Sequence, residues 1–179
     1  NGPDTEHQGR ELFIGANETK VVILDVTNKS NPTLISSFLY NNTGYTHQGW
    51  FTPDQKYWIL GDEFDEIDFG FNSKSIIIDM TDLENPVLKG EYFGPTAAID
   101  HNGYCKGNDF YLANYTAGLR VINTSNITAT DTMNEIGFFD THPENNNATF
   151  KGAWSTYPYF PSGSIIISDI NRGLFVVRK

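Results

Sequence analysis

The stretch Lys20-Val21-Val22-Ile23-Leu24-Asp25-Val26-Thr27 recurs as Lys74-Ser75-Ile76-Ile77-Ile78-Asp79-Met80-Thr81. It recurs more loosely as Gly118-Leu119-Arg120-Val121-Ile122-Asn123-Thr124-Ser125. Each copy is followed by a turn and another apolar strand: Asn31-Pro32-Thr33-Leu34-Ile35, Asn85-Pro86-Val87-Leu88, and Met133-Asn134-Glu135-Ile136-Gly137. A shortened fourth copy, Arg172-Gly173-Leu174-Phe175-Val176-Val177, closes the chain. Copies about 45–55 residues apart, with several strands in each, mark propeller blades rather than separate domains.

Alternation and turn residues divide the chain into blades over residues 1–44, 45–98, 99–148 and 149–179. In the second blade the inner strand begins at His47, and Pro53-Asp54 turns into Lys56–Leu60. A long acidic loop, the strand Ser75–Met80 and the outer strand Val87–Phe93 follow. The third blade repeats this order from His101. In the first, Glu11–Gly15 already matches a second strand, so its inner strand is missing; the last stops without an outer strand. Open strand edges are aggregation templates that native sheets avoid. The expectation is an all-β fold, four blades forming about half of a larger propeller, with a missing half as its partner.

The run Val21–Val26 resembles the LVIVD repeat. The whole chain resembles the C-terminal half of the "choice-of-anchor B" family of extracellular LVIVD-repeat proteins. The resemblance rests on Asn1–Glu11, Tyr45–Trp50, Gly61–Glu66, Gly94–Asn102, Gly152–Ser155 and Ser168–Val176. It implies a secreted or surface-anchored β-propeller, seven-bladed, to which this chain supplies the last four blades. It implies no established activity.

Composition narrows the function. With 14% aromatic and 19% charged residues the chain is a packed globular protein. A net charge of −10 argues against nucleic acid, which needs a basic face. No apolar run approaches the roughly 20 residues of a membrane span. The chain starts without Met or a leader and reads as a mature or trimmed piece. Cys105 is alone and reads as a buried small apolar residue, or else as the partner of a cysteine elsewhere. Seven Asn-x-Ser/Thr acceptors occur, at Asn17, Asn28, Asn41, Asn114, Asn123, Asn126 and Asn147. Chance would give about three. The excess points to a secreted glycoprotein with these acceptors on exposed loops, unless Asn-rich turns generate the motif by accident.

Two constellations carry possible chemistry. His47 and His101 hold equivalent inner-strand positions, so they converge on the channel with Asp100 beside them. Neutral imidazoles there would ligate a transition metal, or they would bond the backbone of a neighbouring blade. Two histidines are too few for a closed site. The fourth blade has Phe150 at the aligned position, and His7 falls in a loop. The second constellation is Asp62-Glu63-Phe64-Asp65-Glu66-Ile67-Asp68, five carboxylates in seven residues. Its oxygen ligands suit Ca²⁺, although the spacing is not that of an EF-hand; the alternative is a solvated loop. No nucleophile elbow, phosphate-binding Gly-rich loop or His-Glu-x-x-His is present. Trp50, Trp58 and Trp154 would offer a sugar-stacking surface, but their place on strands favours packing between blades.

The reading is an extracellular structural or interaction propeller, glycosylated and Ca²⁺-stabilised, with protein or glycan partners. The alternative is a metal-dependent enzyme centred on the channel histidines.

Overall fold

The computed structural model describes residues 2–179; Asn1, the first residue of the Asn1–Glu11 stretch, lies outside them. Four antiparallel sheets follow one another along the chain. The first holds β1 (Leu12–Asn17), β2 (Lys20–Asp25) and β3 (Thr33–Phe38). The second holds β4 (Thr46–Phe51), β5 (Tyr57–Asp62), β6 (Lys74–Asp79) and β7 (Val87–Phe93). The third holds β8 (Gly103–Lys106), β9 (Asp109–Ala113), β10 (Leu119–Asn123) and β11 (Asn134–Phe139). The fourth holds β12 (Ala153–Tyr157), β13 (Ser164–Asp169) and β14 (Gly173–Arg178). In every sheet the strands pair in sequence order, as in propeller blades. β2 and β6 are equivalent, so among the described residues the three-stranded first sheet has no inner strand and the fourth no outer one.

Period-two geometry explains the apolar runs. On β5, Trp58 and Leu60 face the first sheet, while Tyr57 and Ile59 face the third. On β6, Ile76 and Ile78 face one way and Ile77 the other. A strand buried on both faces has no polar side, so it reads as a continuous apolar run. The same alternation sends Tyr111 and Val121 to the fourth sheet and Phe110 and Ile122 to the second. Three cores result, one at each junction between sheets. Each fully buried Ile or Leu contributes about 1.5–3 kcal/mol, and no sheet buries these faces alone.

The repeat also encodes its turn. Asp25, Asp79 and Asn123 end their strands and accept the backbone N–H two residues on, from Thr27, Thr81 and Ser125 at 2.9, 3.0 and 3.1 Å. These Asx turns are why a short polar side chain follows each apolar run. A register shift recurs at Ile23/Leu24, Ile77/Ile78 and Val121/Ile122, one step before that residue.

Two local features differ from expectation. The acidic loop contains a one-turn helix, α1 (Asp65–Phe69), closed by Gly70 at φ 72°. A second short helix, α2 (Ile127–Thr130), follows β10. Cys105 is a free, buried thiol in the junction core, and burial pushes it up to about 12.

Candidate metal centre

β4 carries His47, and His101 sits two residues before β8. β5 runs out at Asp62, and the next residue, Glu63, joins the histidines. His47 Nε2 and His101 Nε2 are 3.0 Å apart. Glu63 Oε1 is 3.4 Å from His101 Nε2, and Glu63 Oε2 is 3.5 Å from His47 Nδ1. Two nitrogens bound at about 2.0–2.1 Å to one ion lie about 3–3.4 Å apart, depending on the angle. The separation therefore suits two ligands on a shared ion, and it is equally that of a ring N–H···N hydrogen bond between the two imidazoles.

The surrounding groups fix the donor atom of His101. His101 Nδ1 lies 2.6 Å from the Trp154 carbonyl, which only accepts, so Nδ1 carries the proton and Nε2 presents its lone pair. Burial lowers the pKa of His101, so it stays neutral. The Tyr115 hydroxyl donates to Glu63 Oε1 at 2.7 Å. Burial, and then that carboxylate, push the phenol well above its usual value, so it remains a donor. Tyr115 is fully buried and sits at φ 24°, a strained backbone for a side chain of this size. Ring contacts from Tyr45 to His47, and from Trp154 and Tyr115 to His101, wall the site.

The other acidic residues go elsewhere. Asp62 accepts from the N–H groups of Gly44, Tyr45 and Phe64 and from the Tyr40 hydroxyl, so it is a structural cap. Asp68 is exposed on α1. Asp65, Glu66 and Asp100 are buried together, with Asp65 paired to the buried Lys74 at 2.9 Å. Burial raises Asp65 to about 6, Glu66 to about 9, and Asp100 well above the carboxylate range. Asp100 thus groups with the carboxylates and not with its neighbour His101. Gly61 makes room for it: a Cβ there would sit 2.6 Å from Asp100 Oδ2.

The histidines and Glu63 were both visible in the sequence, but in separate constellations. Tyr115 and the Trp154 carbonyl gave no sequence signal. A further group, Asp4, His7 and Glu84, joins His7 Nε2 to Glu84 Oε1 at 2.6 Å. Both Asp4 oxygens accept backbone N–H groups, from Glu6 and Leu83. This group ties the start of the chain to the turn before β7.

Of the acceptors, Asn17, Asn28, Asn41, Asn126 and Asn147 are exposed and Asn123 half-buried. Asn114 is a correction. It is buried, and its amide donates to Ser73 Oγ and the Ala98 carbonyl, leaving no room for a glycan.

The fold and the comparisons agree on a β-propeller-like protein. Residues 9–40 match the LVIVD repeat model. Among solved structures the chain is similar to a Lactobacillus plantarum protein at 14% identity and TM-score 0.70, covering 94% of this chain and 54% of that one. It is also similar to a functionally unknown Desulfotomaculum acetoxidans protein at 15% identity and TM-score 0.65, covering 91% and 49%. The chain thus spans about half the length of these structures. At such identity they share a fold and nothing finer. No curated protein matches.

Proposed function

We propose that this chain belongs to an extracellular or cell-surface β-propeller, a glycosylated structural and interaction module that holds a divalent transition metal between His47, Glu63 and His101. The convergence of two imidazole nitrogens at 3.0 Å with a carboxylate carries the reading. Two imidazoles and one carboxylate suit Zn²⁺ or Fe²⁺. The exposed acceptors and the acidic surface support the extracellular part. Further blades would cover the outward faces of the end sheets, where Phe13, Leu34, Leu174 and Val176 are exposed.

A second reading, a metal-dependent enzyme, draws on one feature. Three protein ligands leave coordination positions open, as catalytic sites do.

Calorimetric titration of the chelator-treated protein with Zn²⁺, and cobalt absorption spectroscopy, test the centre. One tight equivalent and a cobalt spectrum typical of mixed nitrogen and oxygen ligands are expected; absence of binding at pH 7.5 rejects it. Tyr115→Phe removes the hydrogen bond that orients Glu63. Outer partners of this kind are worth about 10–100-fold in affinity, and about tenfold weaker zinc binding is expected with stoichiometry retained. An unchanged affinity would deny Tyr115 that role.

A further inference from the structure

Lys74 opens β6 and is buried, 1% exposed, whereas its repeat equivalent Lys20 is half-buried. Its ammonium meets the first residue of α1: Nζ lies 2.9 Å from Oδ2 of the fully enclosed Asp65. The ring of Phe71 covers Nζ at 4.8 Å, and the Glu91 carboxylate stands off at 4.0 Å. An amine and a carboxyl are thus enclosed together, out of water.

As an ion pair the contact is poor. Nζ and Oδ2 are close but lie off the line of a hydrogen bond, and neither Asp65 oxygen has a hydrogen-bond partner among the described residues. Burying two charges is repaid only where the geometry is good and the remaining hydrogen-bonding capacity is filled. Neither condition holds here. Joining the two groups would remove both charges.

We propose that Lys74 Nζ and Asp65 Cγ become joined by an amide, an intramolecular isopeptide bond that forms once the chain has folded. Within the dry pair a proton passes from the ammonium to the carboxylate, leaving a neutral amine and a neutral acid. The amine lone pair adds to Asp65 Cγ, as a desolvated lysine does in covalent catalysis. The C–O bond to the protonated oxygen then breaks, and that hydroxyl departs as water with a second proton from Nζ. One ammonium and one carboxylate become one amide and one water, with no oxidant or co-reactant. Glu66 and Asp100 are enclosed beside the pair, each with a carboxyl oxygen that has no partner, so the second proton has two relays. Groups held in contact and away from water condense where free ones in solution do not. The bond ties α1 to the start of β6 across residues 66–73. Neither residue is among the three metal ligands, so the bond and the metal centre stand or fall separately.

The intact mass of the whole chain, made in a host that adds no glycans, tests this. The expected mass is one water, about 18 Da, below that of the sequence. Trypsin should fail to cut the denatured chain after Lys74. Chymotrypsin, cutting after Phe69 and Phe71, should leave the fragments holding Asp65 and Lys74 joined. A dehydration confined to one residue would let those fragments part. Lys74→Arg keeps the positive charge without the nucleophilic amine and should show its full sequence mass. The digests use the unmutated chain, so they decide the matter whether or not the arginine variant folds. The assignment is overturned if the unmutated chain keeps its full mass after prolonged incubation at pH 7.5, if the digests release separate fragments, or if Lys74→Arg shows the same loss.

Discussion

His101→Ala is expected to lower zinc affinity at least 100-fold and to remove the cobalt spectrum. His101 is the most constrained of the three ligands. Its Nδ1 is committed to the Trp154 carbonyl, its Nε2 faces both His47 and Glu63, and its ring is buried against Tyr115 and Trp154. A ligand ordered before the metal arrives loses little entropy on binding, so its removal forfeits most of its bond energy. The substitution also breaks a contact between the third and fourth sheets, worth about 1 kcal/mol. Glu63→Gln separates the two effects. It keeps the side chain's size and an oxygen for the Tyr115 hydroxyl but removes the charge. It should therefore leave melting almost unchanged while weakening zinc at least tenfold. If both variants bind zinc as the parent does, the three residues are a hydrogen-bonded structural cluster. Calorimetry and melting curves on the same samples decide it.

The architecture was legible because each repeat states it locally. The apolar run Ser75–Ile78 between Lys74 and Asp79 announces a strand buried on both faces, and the Asp that ends it announces the turn. The same alignment gave the missing strands, since β1 is equivalent to β5 and not to β4. The site was legible only in part. His47 and His101 were paired by their repeat positions. Glu63 was read with its acidic neighbours because charge runs in sequence look like one object. In the fold they diverge: Asp62 ends a strand, Glu63 turns to the histidines, and α1 then carries Asp65 and Glu66 inward and Asp68 outward. Tyr115 reaches Glu63 across 52 residues of sequence from a strained loop, a contact that no local pattern encodes. Of the tryptophans, Trp58 packs in the core between the first and second sheets, as its strand position indicates. Place on a strand fixes which way a side chain points but not whether a neighbour covers it, and Trp50 and Trp154 are left open.

Glu66→Gln is expected to raise stability at pH 8 by a few kcal/mol, about 10 °C in melting temperature, and to flatten the pH dependence of the parent. Glu66, Asp65 and Asp100 are buried together, and Lys74 is the cation paired among them in the described residues, so three ionised carboxylates there would be undercompensated. Glu66 Oε1 accepts the Asp100 N–H at 3.2 Å, while Oε2 is enclosed without a partner, as are both Asp100 side-chain oxygens. Burial, then the Asp65 charge, raise Glu66 from its ordinary 4.5 to about 9. The folded chain therefore holds a proton that the unfolded chain has released at any pH between those values. Where the native state binds more protons, stability falls as pH rises. The parent should thus lose stability from about pH 4.5 to about pH 9, with Asp65, raised to about 6, adding to the acidic end of the decline. Glutamine keeps the shape and an oxygen for the Asp100 N–H but cannot ionise, so the slope should shrink. Calcium is the competing way to neutralise these oxygens, and the same melting series separates it. A cation held there would raise the parent's melting temperature at pH 8, where the carboxylates are easiest to ionise, and Glu66→Gln would lose that rise. A parent whose melting temperature is level across this range, or a variant with the parent's slope, would deny the buried proton altogether.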